Sequence, residues 1–230
     1  MKDFLFAIVN FVTFFVVSSL TAAKKWMNKI AIYRFYRRID GVGFFYIRNF
    51  RQLAEVLVNG GFMSAEDARD WLCINGINFA VGFTFSINDI NFIYIPKEVL
   101  YSHFGWSILM HEICHIKNRH VEKILHGDYK GMESEIICGQ VVVYNFEAQA
   151  DAYALKKSGR IFYENEESIK LFKELYKKCS LNIIDELEAL YDIDLTACKD
   201  AYKDDVVIEA IVASMRYQFV MRKKLLPKYL

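Results

Sequence analysis

Proline is almost absent from this chain, which contains only Pro96 and Pro227 in 230 residues. The sequence also has no Ser/Gly-rich linker, no low-complexity tract and no internal repeat, the features that usually separate domains or mark disorder. A chain of this length can bury one substantial core. We therefore expect one folded domain over residues 39–230, preceded by a distinct segment over residues 1–38.

Cysteine is scarce and shows no pattern. The five cysteines are odd in number and none forms a CxxC pair, which argues against a disulfide framework and against a cysteine-based metal site. A reducing compartment is the natural setting for such a chain. Charge of one sign is not in excess either, with 29 basic against 28 acidic residues, so composition predicts no nucleic-acid partner.

One long hydrophobic run is present, at residues 4–23, FLFAIVNFVTFFVVSSLTAA. A run of about 20 uncharged residues is long enough for a helix to cross a bilayer. Basic residues follow it closely, a bias that retains the downstream side in the cytoplasm: Lys24, Lys25, Lys29, Arg34, Arg37 and Arg38. We expect a membrane anchor with the folded domain facing the cytoplasm. The alternatives are a signal peptide and a core helix of a cytoplasmic protein.

The remaining pattern predicts an α+β fold that is mostly helical. A strand at residues 42–47 precedes two helices, at residues 48–59 and 64–75, and a hairpin follows at residues 78–87 and 90–95 around Asn88-Asp89. Long helices are then expected over residues 99–119 and 132–157, with three or more helices beyond residue 164. The predicted sheet is small, antiparallel and placed before the helix at residues 99–119.

That helix carries LMHEICHIKNRH, in which His111-Glu112-Ile113-Cys114-His115 fits HExxH. Residues i and i+4 differ by about 40° around a helix, so both imidazoles can reach one ion. Glu112 can act as a general base on a water beside that ion. The non-functional alternative is a solvated His/Glu pair on a helix surface. The apolar neighbours of the motif instead indicate a buried helix, in which unpaired histidines would cost free energy.

A third ligand is expected from Glu147-Ala148-Gln149-Ala150-Asp151, which places two carboxylates one turn apart beside small alanines. Glu147 is predicted to bind the metal, and Asp151 to accept a hydrogen bond from a ligating histidine. His120 falls on nearly the opposite face of a continuous helix and is predicted to lie on the surface. Cys114 is interpreted as a packing residue rather than a redox sensor.

The segments HEICHIKNRHV and FEAQADAYALKKSGR resemble the gluzincin metallopeptidases, in particular the membrane-associated prenyl-protein and heat-shock peptidases with HExGHxxxxH and ExxAD. The resemblance covers residues 92–160 and implies a zincin-like domain, one Zn²⁺ ion and a protein or peptide substrate. It also implies that a strand before the motif helix receives the substrate as an added strand. Here that strand would be Asn91, Phe92, Ile93, Tyr94 and Ile95.

The match has departures. Cys114 stands where the family has a glycine. No histidine follows His126, so the histidine with which the family stabilises the transition state has no counterpart here. Four later residues are chemically able to stabilise an oxyanion, but none is assigned that role: Tyr153, Tyr202, Arg216 and Tyr217. The sequence thus predicts a membrane-anchored zinc metalloendopeptidase with Glu112 as general base. Two alternatives stay open: a soluble peptidase resembling the repressor-cleaving ImmA and IrrE enzymes, and a non-catalytic metal-binding protein of the same fold.

Overall fold

Helices dominate the computed structural model, which describes residues 33–75, 81–137 and 140–230. They are α1 (Phe50–Asn59), α2 (Ala65–Asn75), α3 (Lys97–Leu100), α4 (Gly105–Lys117), α5 (His120–Leu125), α6 (Tyr144–Ser158), α7 (Glu166–Tyr191), α8 (Thr196–Lys203) and α9 (Asp205–Leu225). The strands are β1 (Tyr36–Ile39), β2 (Val42–Ile47), β3 (Phe83–Ile87), β4 (Ile90–Tyr94), β5 (Ser134–Ile137) and β6 (Gln140–Val143). Short 3₁₀ turns occupy Tyr33–Phe35 and Leu226–Lys228. The predicted α+β, mostly helical class is confirmed.

The main sheet has the order β1-β2-β4-β3 and is mixed. The β1–β2 and β3–β4 pairs are antiparallel, whereas β2 and β4 run parallel. The prediction of an antiparallel sheet is therefore wrong in part. The chain passes from β2 through α1, α2 and β3 before it reaches β4, and the tight turn after β3 reverses the chain so that β4 runs parallel to β2. The hairpin prediction holds, since Asn88 and Asp89 adopt φ of 51° and 62° between β3 and β4.

The strand order corrects the predicted substrate edge. The predicted edge consists of β4 residues and the residue directly after them: Asn91, Phe92, Ile93, Tyr94 and Ile95. In the structure β4 is hydrogen-bonded to β2 on one side and to β3 on the other. β4 is thus an interior strand with no free edge, and the prediction is wrong. Sequence identifies the two strands of the hairpin but not which of them pairs with β2. The strand next to α4 with an open edge in the four-stranded sheet is β3.

Two predicted helices also differ in extent. The helix expected over residues 99–119 is split into α3 and α4 at Gly105, where a Cβ atom would lie 1.9 Å from the carbonyl oxygen of Leu100. The helix expected over residues 132–157 begins only at Tyr144, because the preceding residues form the β5–β6 hairpin. Three consecutive valines in this stretch favour a strand over a helix.

The core forms where the sheet meets the helices. Phe50 at the start of α1 stacks on Tyr94 of β4 with ring centroids 4.9 Å apart. On the other side of the molecule α4 packs along α6, and buried Ala148, Ala150 and Ala152 let the two helices approach closely. This α4–α6 pair brings together the two segments that carry the predicted ligands.

The predicted anchor at residues 4–23 lies outside the described residues, as does most of the segment over residues 1–38. Within residues 33–75, 81–137 and 140–230, no helix is both long enough and apolar enough to cross a membrane.

Candidate metal centre

The three predicted ligands converge at the α4–α6 contact. The Nε2 atoms of His111 and His115 are 3.0 Å apart. The Glu147 carboxylate lies 3.3 Å from Nε2 of His111 and 3.5 Å from Nε2 of His115. Among the described residues, these three side chains form a group whose ligand atoms are close enough to share a metal ion.

These separations fit a small divalent ion with four ligands. Zn–N and Zn–O bonds of roughly 2.0 to 2.1 Å at tetrahedral angles place neighbouring ligand atoms about 3.3 Å apart. The three measured separations, 3.0, 3.3 and 3.5 Å, lie on both sides of that value. Two imidazoles and one carboxylate would leave the fourth position of such an ion free for water or substrate.

His111 is held by a buried carboxylate. Its Nδ1–H donates to Oδ1 of Asp151 at 2.9 Å, so Nε2 is the ring nitrogen that faces His115 and Glu147. Asp151 is also the partner of Arg222, whose Nε and Nη2 donate to its two oxygens at 2.7 and 2.5 Å. The hydroxyl of Tyr163 donates to the same carboxylate. Asp151 therefore occupies the outer position predicted for it.

Arg222 was not found from the sequence. It lies on α9, is 5% exposed, and its Nη1 is also 3.3 Å from Oε2 of Glu147. One guanidinium thus contacts both the buried Asp151 carboxylate and the partly buried Glu147 carboxylate, a task that suits arginine because its fork of donors is planar and always charged. Arg222 is 71 residues from Asp151 in the chain, so no local spacing could have indicated the pair.

His120 corrects the sequence prediction. It is fully buried, stacks on Phe146 with centroids 4.4 Å apart, and is not a surface residue. α4 ends at Lys117, and Arg119 adopts φ of 56°, so α5 starts in a new direction and turns the His120 ring back toward α4. His120 would lie on the opposite face from His111 only if α4 continued past residue 120 as one helix, which it does not.

The contacts of His120 form a chain of hydrogen bonds with one consistent direction. Its Nε2–H donates to the side-chain oxygen of Gln149 at 2.9 Å, so its Nδ1 accepts from Nδ1–H of His115 at 3.1 Å. Both rings are neutral because burial lowers the pKa of His115 to about 3 and that of His120 to about 4. The Nε2 lone pair of His115 then accepts from Nε2–H of the protonated His111 at 3.0 Å in the metal-free protein.

Glu112 borders the metal group without belonging to it. It is 8% exposed, and Oγ1 of Thr84 on β3 donates to its Oε2 at 2.7 Å. Burial raises the pKa of Glu112, and the charge of His111 and the Thr84 hydrogen bond oppose that effect. A carboxyl with a raised pKa, held by one hydroxyl, is suited to accept and return a proton near neutral pH.

The ligand carboxylate and His111 are strongly coupled. Burial disfavours the charged form of His111, but hydrogen bonds to Asp151 and Glu147 outweigh it and raise the pKa of His111 to about 10. Burial likewise disfavours the Glu147 carboxylate, but the imidazoles and Arg222 outweigh it and lower its pKa. Before a metal binds, His111 is therefore an imidazolium with both ring nitrogens protonated, and Glu147 is a carboxylate.

A cleft with a cavity of about 150 Å³ opens onto this group. Its polar wall consists of His111, Glu112, Glu147, Gln218 and Arg222. Its apolar wall comes from α4, α7, α9 and the segments beside them, and includes Ile108, Phe162, Phe172, Met215 and Phe219. A small, mostly apolar cleft with a few convergent polar groups is the usual form of a binding site for part of a larger ligand.

The other candidates from the sequence lie away from this cleft. Tyr153 donates to Asp40, Arg216 pairs with Glu166, and Tyr217 is 56% exposed; these residues and Tyr202 do not line the cleft. Arg222 and Gln218 are the donors on α9 that do.

Cys114 is 1% exposed and lies at the α4–α6 contact, where Asn118 donates to its sulfur at 3.0 Å. Burial raises the pKa of this thiol to about 11. A buried thiol that stays protonated agrees with the packing interpretation.

Comparison with protein-family models, curated proteins and solved structures found no match to this chain. The site itself consists of buried His111 and partly buried His115 and Glu147, which could hold a metal ion, with buried Glu112 beside them.

Proposed function

We propose that this protein is a zinc-dependent metalloendopeptidase of zincin-like fold. The observation that carries the proposal is the placement of Glu112. It lies in the same cleft as the His111, His115 and Glu147 group, is buried, and is held by Thr84 rather than by a ligand. A purely structural metal site has no need of a free acid at that position, whereas hydrolysis requires one.

Zn²⁺ at this site would supply Lewis-acid chemistry, polarising the substrate carbonyl and making water more acidic. Glu112 takes a proton from the attacking water and returns it to the nitrogen of the leaving amine. Asp151 and His120 accept from the Nδ1–H groups of His111 and His115, so the two Nε2 atoms are the ones that would hold the ion. The guanidinium of Arg222 keeps the Asp151 and Glu147 carboxylates ionised in a buried environment.

The primary test pairs metal analysis with peptide-library cleavage. The purified chain should contain one zinc ion per molecule and cleave members of the library. Glu112→Gln should keep the stoichiometric zinc and lose hydrolysis, because an amide cannot accept the proton. Turnover that survives this substitution would refute the general-base role. Stoichiometric zinc without cleavage of any peptide would instead identify a non-catalytic metal-binding protein.

A second test concerns the ligand set. Glu147→Ala should lose the metal, and Asp151→Ala should bind it roughly 10 to 100-fold more weakly. Glu133→Ala and Glu135→Ala are controls, because both residues precede α6 and neither belongs to the metal group. Wild-type zinc affinity in Glu147→Ala, measured by chelator competition, would exclude Glu147 as a ligand.

The proposal includes a membrane anchor at residues 4–23 and a catalytic domain that faces the cytoplasm. Its support is the length of the uncharged run and the basic residues that follow it. The full chain should sediment with membranes and resist alkaline extraction, and a reporter thiol near Lys224 should resist impermeant reagents in intact cells. Recovery in the soluble fraction would favour a cytoplasmic peptidase similar to the repressor-cleaving enzymes. Ready labelling would place the domain outside.

A further inference from the structure

A second cavity lies at the edge of the main sheet, away from the metal centre. It has a volume of about 270 Å³ and is enclosed by the start of β1, the end of β2 and the first turn of α1. The residues that line it are Arg34, Phe35, Arg37, Tyr46, Arg48 and Gln52. None of them lines the metal cleft.

Five of these six side chains can donate hydrogen bonds, and none is acidic. The Arg37 guanidinium is held by two backbone carbonyls that precede it in the chain, since Nη1 donates to the carbonyl oxygens of Arg34 and Tyr36 at 2.8 and 2.7 Å. Its Nη2 and Nε remain available. A guanidinium fixed in this way loses little entropy when it binds an anion.

Charge in the cavity is only partly compensated. Arg34 pairs with Glu55 at 2.8 Å. Arg48 lies over the Tyr46 ring at 5.6 Å and makes no ion pair with any residue in the described part of the chain. The side-chain oxygen of Gln52 accepts from the backbone N–H of Arg48 at 3.1 Å, so its amide hydrogens point away from that bond. The three guanidiniums of the cavity are therefore balanced by one carboxylate, that of Glu55, among the described residues.

Tyr46 supplies an independent observation. It is 7% exposed, and its hydroxyl is buried with no hydrogen-bond partner among the described residues. An unpaired buried hydroxyl costs free energy and usually marks a missing partner. Burial raises the pKa of Tyr46 to about 12, so the group remains a donor, and the charges of Arg48 and Arg37 act on it.

We propose that this cavity binds a phosphoryl group, with the guanidiniums of Arg37 and Arg48 and the Tyr46 hydroxyl as donors. Arginine forks match phosphate oxygens in pairs, and a hydroxyl completes the set around a tetrahedral anion. The volume leaves room for substituents on the phosphorus. The source is either an anionic phospholipid headgroup or a soluble phosphate.

The test uses the full chain in neutral detergent micelles, titrated calorimetrically with two probes. One is inorganic phosphate, and the other is glycerophosphoglycerol, the water-soluble headgroup of phosphatidylglycerol. Sodium chloride of equal ionic strength is the reference. Binding of either probe above that reference is expected. Tighter binding of glycerophosphoglycerol identifies a lipid source, and tighter binding of phosphate identifies a soluble one.

Variants locate the binding. The Arg37→Gln, Arg48→Gln double variant should weaken binding by at least about tenfold, since a charge-assisted hydrogen bond carries that much. Tyr46→Phe should lower affinity by about tenfold without lowering the melting temperature, because the hydroxyl bonds to no described residue. Arg38→Gln, Arg51→Gln is the matched control: both residues are exposed, and neither lines the cavity.

The proposal is overturned if neither probe binds above the chloride reference. It is also overturned if the double variant or Tyr46→Phe binds like the wild type, or if the control variant loses as much affinity as the double variant. Each of these outcomes is independent of zinc content and of peptide hydrolysis.

Discussion

Zinc binding to the metal-free protein should release one proton, and its affinity should rise with pH far beyond the range in which an ordinary histidine titrates. A ligating imidazole must be neutral, but the pKa of His111 in the metal-free protein is raised to about 10. Burial opposes this shift, and the hydrogen bonds to Asp151 and Glu147 outweigh it. Below that pH the metal must displace the proton from His111.

The size of the effect follows from the same pKa. Each pH unit below a pKa of about 10 costs about 1.4 kcal/mol, so proton displacement at pH 7.5 costs about 3 kcal/mol. The apparent dissociation constant should therefore fall about tenfold per pH unit from pH 6.5 to 8.5. His115 adds nothing in this range because its pKa is lowered to about 3. Glu147 adds nothing because its pKa is lowered and it stays ionised.

Two measurements test this. Chelator competition gives the affinity at each pH, and calorimetry at pH 7.5 in buffers of different ionisation enthalpy counts the protons released. Asp151→Asn should release fewer protons, because His111 loses the partner that holds its charge. Asp40→Asn is the control, since this carboxylate pairs with Lys117 and Lys157 outside the metal group. Affinity that stays flat from pH 7.5 to 8.5 would refute the reasoning.

Three further predictions concern other contacts of the site. Thr84→Val should leave zinc affinity unchanged, lower turnover by about tenfold and shift the acid limb of the pH–rate profile upward, because the Thr84 hydroxyl stabilises the ionised form of Glu112; an unchanged profile would exclude this role. Arg222→Met should lower the free energy of unfolding by about 3 to 5 kcal/mol in urea titrations, since it leaves its carboxylate partners buried and uncompensated, and Arg222→Lys should not restore the loss. The free energy of unfolding of the metal-free protein should decrease as the pH falls from about 6.5 toward 4, by up to about 2.7 kcal/mol per pH unit. The reason is that His115 and His120 become protonated in the unfolded chain but stay neutral in the folded protein, where burial lowers their pKa values. Equal stability at pH 7 and pH 5 would contradict this.

Local patterns in the sequence predicted much of the fold. The bounds of β2 agree with the apolar run at residues 42–47, and α2 agrees with the helix predicted at residues 64–75, with Ser64 accepting from the backbone N–H of Asp67 at 3.0 Å at its start. The i,i+4 spacing brought His111 and His115 together because that relation depends only on helix geometry. Contacts of short sequence separation can be predicted in this way.

Other features depend on chain direction or on distant pairing. The position of His120 depends on a left-handed residue, Arg119, which no sequence rule predicts for an arginine. The Arg222–Asp151 pair joins helices far apart in the chain. The interior position of β4 depends on its pairing with β2 rather than on the residues of β4 itself. Each of these differences depends on tertiary contacts, which the local propensity of a segment does not determine.

The placement of Arg222 on α9 has a consequence for how fast metal can leave. α9 carries Met215, Gln218, Phe219 and Arg222, all of which line the cleft, and it is bonded through Arg222 to both Asp151 and Glu147. A wide opening of the cleft must break these ion pairs, so it resembles partial unfolding of one helix more than a side-chain rotation. The exchange rate of a bound ion and its equilibrium affinity would then be separate properties of the molecule. The first would depend on how often α9 detaches, and the second on His111, His115 and Glu147.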